Sequence, residues 1–85
     1  SPRDPALHRE LGLLLMDAGR PGEAVARFRT ALEMDEESSE AWLGLIRALR
    51  SAGHDEAAAR ALLLAPPEVR TLIGSADTPP LPALP

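Results

Sequence analysis

Apolar residues recur at every third or fourth position through most of this chain, the spacing of helices that each turn one face toward a core. The first stripe is Leu7, Leu11, Leu14, Leu15 and Ala18. Asp4-Pro5 precedes it, an N-cap followed by proline at the first helical position, where a missing N–H costs nothing. Gly19 is expected to end the helix in the left-handed conformation. Pro21 opens a second helix with the face Ala24, Val25, Phe28, Ala31 and Leu32, broken by the polar run Asp35 to Ser39. Ser38 or Ser39 caps a third, carrying Trp42, Leu45, Ile46 and Leu49 and stopped by Gly53. A fourth starts at His54 or Asp55, runs through Ala58, Leu62 and Ala65, and meets Pro66-Pro67. Val69 to Ile73 supplies one or two further helical turns, and after Gly74 the prolines leave only an extended or disordered tail.

The helices repeat. Leu11 and Leu45 are 34 residues apart, and the same offset pairs Leu15 with Leu49, Ala18 with Ala52, and Gly19 with Gly53. It also pairs Ala24 with Ala58, Phe28 with Leu62, and Ala31 with Ala65. A helix–turn–helix unit with this period resembles the tetratricopeptide repeat. The matching residues are Leu11-Gly12, Leu15, Gly19, Ala24, Phe28 and Ala31 in the first unit. In the second they are Trp42, Leu45, Leu49, Gly53, Ala58, Leu62 and Ala65. His8 stands where the first unit usually has Trp, Ile46 where the second usually has Gly, and Glu36 where a proline usually closes the unit. Ala57 also fits the small-residue slot of the second unit.

The resemblance implies an all-α fold of two stacked hairpins, a fragment of an α-solenoid. Residues 1–4 form a disordered N-terminus, 5–38 the first repeat, 39–73 the second repeat with a short capping helix, and 74–85 a proline-rich disordered tail. Two repeats bury little, since such arrays need about three for independent stability. The end around Leu62, Leu63, Leu64 and Val69 should therefore be covered by the short fifth segment, by a second copy of the chain, or by the remainder of a larger protein.

Composition narrows the function. With 85 residues there is room for one small domain, and with no cysteine neither disulfides nor thiolate metal ligands supplement its core. Aromatics make up only 2%, so Leu, Ala, Val, Ile and Met must build that core. The net charge of −4 argues against nucleic acid as a partner, and no apolar run is long enough to span a membrane. All cations are Arg, in a composition rich in Ala, Gly and Pro that points to a GC-rich, bacterial genome. The chain begins at Ser1 rather than Met, which suggests an excised fragment or processed product. No signal peptide is evident, leaving the compartment open with the cytoplasm favoured.

Candidate chemistry is sparse. His8 and His54 lie in different repeats with no compact ligand spacing, and Ser38, Ser39, Ser51 and Ser75 read as caps or loop residues. Asp35, Glu36, Glu37 and Glu40 lack the glycine and alternating ligands of a calcium loop. No catalytic residue, metal site or cofactor is expected. The resemblance instead implies a protein-interaction module that recruits a peptide or mediates assembly, self-association of the chain included. In that family the first helix of each unit lines a concave groove. By position this selects Arg9, Leu13, Met16 and Asp17 from the first unit, and Glu40, Leu43, Arg47 and Arg50 from the second. The clamp that some members use for acidic C-terminal peptides needs Asn and Lys, and the chain has neither. The run from Ala61 to Arg70 is also similar to helical arms that follow thioredoxin-like domains in bacterial co-chaperones. That likeness implies the alternative of a regulatory or substrate-holding arm of a larger enzyme or co-chaperone.

Overall fold

A computed structural model of the chain describes residues 3–76. The described residues form five helices: α1 (Pro5–Asp17), α2 (Pro21–Met34), α3 (Ser39–Ser51), α4 (Asp55–Leu64) and α5 (Pro67–Ala76). Local chemistry sets their limits. The Asp4 carboxylate accepts from the Ala6 N–H at 3.0 Å, and Ser38 Oγ accepts from the Ala41 N–H at 3.2 Å. Each satisfies one of the donors that a helix start leaves open. Ser38, not Ser39, is therefore the cap of α3.

The two ends that close the first helix of each hairpin are built alike. Gly19 and Gly53 have φ of +75° and +85°, a region that costs a side-chain-bearing residue strain. Gly19 N–H donates to the Met16 carbonyl and Arg20 N–H to that of Leu15; 34 residues on, Gly53 N–H donates to Arg50 and His54 N–H to Leu49. Both ends are Schellman motifs, closing the last turn and redirecting the chain into an antiparallel neighbour.

The helices stack as two hairpins, α1–α2 and α3–α4, with α5 laid against α3. α3 packs on α1, α2, α4 and α5. Small residues make the close approaches: Ala24, Ala31, Ala41 and Ala48 are fully buried and Ala58 nearly so. Ala57 is only half-buried, so Ala58 occupies the small-residue slot of the second hairpin. Phe28, Ile46 and Val69 are the largest fully buried side chains. The Trp42 ring is half-buried, and its indole N–H donates to the Glu36 carbonyl at 2.8 Å, fastening the loop between α2 and α3.

Two expectations need correction. Leu7 and Leu14 do not face the core: they are 41% and 63% exposed, because α1 is the outermost helix and nothing described packs on its far side. The fifth segment is a full helix of ten residues that continues to Ala76, beyond the Gly74 at which the sequence pattern ends it. Its Val69 and Ile73 are buried, so it covers α3, while Leu63 and Leu64 on α4 stay 71% and 75% exposed. α5 is held by Ser39 Oγ donating to the Glu68 carboxylate at 3.1 Å and by the Arg70 guanidinium, which lies 3.4 Å from the Leu63 carbonyl at the end of α4. Of the termini expected to be disordered, 1–4 and 74–85, residues 1–2 and 77–85 lie outside the described residues.

Gly44 was not singled out by the repeat pattern, yet the packing depends on it. A Cβ built there would lie 2.3 Å from the Phe28 ring, and one at Gly12 would lie 2.7 Å from it. The ring thus occupies the space that two missing side chains leave on α1 and α3. Gly44→Ala should raise helix propensity by roughly 1 kcal/mol. Forcing the confined ring aside should cost more, ~1–3 kcal/mol, so the variant is expected to melt below the parent. An equal or higher melting temperature would contradict the sandwich.

Candidate interaction groove

A groove of about 380 Å³ lies between α1 and α3. Six of the eight residues selected by repeat position line it: Arg9, Leu13 and Met16 from α1, and Glu40, Leu43 and Arg47 from α3. Phe28 of α2 and Gly44 complete the lining, so the aromatic ring held between the glycines also underlies the groove. Asp17 and Arg50 are exposed but not part of it. Both sit in the last turns of their helices, Arg50 where a cation complements the α3 C-terminus.

The apolar members differ in how firmly they are held. Met16 and Leu43 are half-buried and pack against the core, whereas Leu13 is 57% exposed. Leu13 is the more adaptable contact, and the other two form the fixed part of the floor. The charged rim is partly committed. Arg9 pairs with Glu40 at 3.4 Å across the two helices, with the Glu40 side chain 79% exposed. An ion pair so open to water is worth only about 0–1 kcal/mol, and an incoming carboxylate can compete for it. Arg47 stands at the exposed edge.

Neither histidine belongs to a cluster of ligating side chains. His8 lies beside Arg27 of α2, with 3.5 Å between Nδ1 and the guanidinium, and His54 sits at the start of α4 without capping it through its side chain. Among the described residues no group of three or more His, Asp or Glu is placed to hold a metal ion, and no helix is long and apolar enough to cross a membrane.

A second and larger groove, about 660 Å³, was not anticipated. It opens on the opposite side, between α2 and α4, with Leu32, Leu45, Leu49 and Leu64 among its walls. A signal for it was present in the offset of 34: Thr30 in the first unit becomes Leu64 in the second.

Antiparallel helix pairs of one period, stacked so that successive first helices share a groove, define a helical-repeat protein of the α-solenoid class. A family model described as the tetratricopeptide repeat matches residues 15–72, and the chain belongs to that family. No match was found among curated proteins or among solved structures. Tetratricopeptide repeats are in general non-catalytic modules for protein–protein interaction.

Proposed function

We propose that the chain recruits a protein partner by taking a peptide segment into the groove between α1 and α3. The observation that carries this reading is the clustering of Leu13, Met16 and Leu43 over the Phe28 ring, with Arg9, Glu40 and Arg47 around them. An apolar floor with charged edges suits a peptide that offers an apolar anchor and a carboxylate, the anchor supplying affinity and the charge fixing register. Arginine suits the second task because its planar fork holds a carboxylate through two hydrogen bonds.

Peptide-display selection on the immobilised chain tests the proposal without a known partner. Selected peptides are expected to share an apolar residue near an acidic one. Arg47→Glu and Leu13→Ser change exposed side chains, so both variants should melt like the parent. Each should weaken the selected peptides by about tenfold or more, equivalent to ~1.4 kcal/mol, and the parent affinity should fall as salt is raised. Undiminished binding to both variants would show that the groove is not the binding surface.

A further inference from the structure

Two apolar features that the concave groove does not use are a ridge and a trough of the same molecule. The ridge is the outer face of α1. Leu7 and Leu14 are 41% and 63% exposed there, while their repeat equivalents in α3, Ala41 and Ala48, are fully buried. The trough is the groove of about 660 Å³ between α2 and α4, where Leu64, 75% exposed, adds an apolar wall at the position that Thr30 holds in the first unit.

We infer that copies of this chain associate through these two surfaces, the α1 ridge of one copy docking into the α2–α4 groove of the next. Charge decides both the occupant and its direction. Glu10 and Asp17 share the ridge with Leu7 and Leu14 at alternating spacings of three and four, and both are exposed. Arg3 is exposed beyond the N-terminal end of α1, so the ridge runs from basic to acidic. Along the groove, α2 presents Arg29 and then Glu33, and the loop that follows it presents Glu36. Arg60 of α4 falls level with Ala26 in the repeat register and joins Arg29 at the N-terminal end. With α1 antiparallel to the α2 of the next copy, Glu10 and Asp17 approach Arg29 and Arg60, and Arg3 approaches Glu33 and Glu36. The parallel alternative sets like charges against each other. Antiparallel is also how α1 meets α2 within one hairpin.

Ridge and groove are different surfaces, so a single ridge–groove contact is heterologous and leaves one ridge and one groove free to add copies in a chain or ring. One face of a helix about 20 Å long gives a small interface, and the association should be concentration-dependent.

Sedimentation of the 85-residue chain over a concentration series provides the test. The mass of the parent is expected to rise beyond twice that of the monomer, and to fall back as salt is added. Leu14→Arg spoils the ridge and Leu64→Glu spoils the groove, both at exposed positions where the helical fold is retained. Each variant alone should remain monomeric. Mixed in equal amounts they should form a 1:1 complex, because the first keeps an intact groove and the second an intact ridge. A charge-reversing pair, Glu10→Arg and Arg60→Glu, tests the same contact without touching a leucine: each variant alone should remain monomeric, and the mixture should associate beyond a 1:1 complex, because the reversed ridge also meets the reversed groove. A parent that stays monomeric throughout overturns the inference. So does a mixture that fails to associate, or an effect confined to the ridge variants, which would mark a symmetric α1–α1 contact instead.

Discussion

Phe28→Ala is expected to destabilise the chain by ~3–5 kcal/mol, near the top of the range for removing a buried aromatic ring. The expectation rests on what surrounds the ring. The cost of such a truncation depends on how far neighbours can collapse into the vacated space, and two of the neighbours are Gly12 and Gly44, which have no side chains to move. For a domain of this size each 1 kcal/mol shifts the melting temperature by roughly 4–8 °C, so a fall of at least ~12 °C should be seen in a thermal melt. Total stability for small domains is ~5–15 kcal/mol, and loss of a cooperative transition at room temperature would agree equally well. A loss below about 1 kcal/mol would mean that the ring is not the centre of the stack.

The second large effect is expected at Ala24, which is fully buried in the first hairpin. Ala24→Leu inserts three carbons where α1 and α2 approach closely and should cost ~1–3 kcal/mol. Arg29→Ala, on the exposed side of the same helix, should stay within about 0.5 kcal/mol of the parent. The pair forms an internal control, because both substitutions alter α2 without introducing glycine or proline. Equal melts for the two variants would contradict the hairpin assignment.

Most of the architecture was legible in the sequence because its determinants are local. Caps, prolines and left-handed glycines act within a turn of themselves, and Asp4, Ser38, Gly19 and Gly53 perform their expected roles. Burial on α1 was harder to read. Leu7 and Leu14 carry the same helical periodicity as Leu11 and Leu15, and periodicity cannot tell whether a neighbour exists to cover the stripe. Gly44 was missed for a related reason. It lies outside the repeat motif, and only its presence inside a helix, where glycine costs ~1 kcal/mol against alanine, hinted that a close contact required it. In the concave groove, repeat position brought six of the selected residues together, and Asp17 and Arg50, in the last turns of their helices, lie outside its lining. The α2–α4 groove escaped notice because it depends on the relative placement of two helices that are not adjacent in the chain.

The position of α3 determines how the molecule comes apart. In long repeat arrays each unit leans only on its neighbours, and stability is a sum of local terms that can be lost one repeat at a time. Here a single helix touches every other one, so no hairpin can leave without stripping a face of α3. A chain of repeats this short is therefore expected to unfold as one cooperative unit, in a single step instead of fraying from its ends. Its connections are nearly all between sequential helices, a low-contact-order topology that favours rapid folding, with α3 as the element on which the others condense.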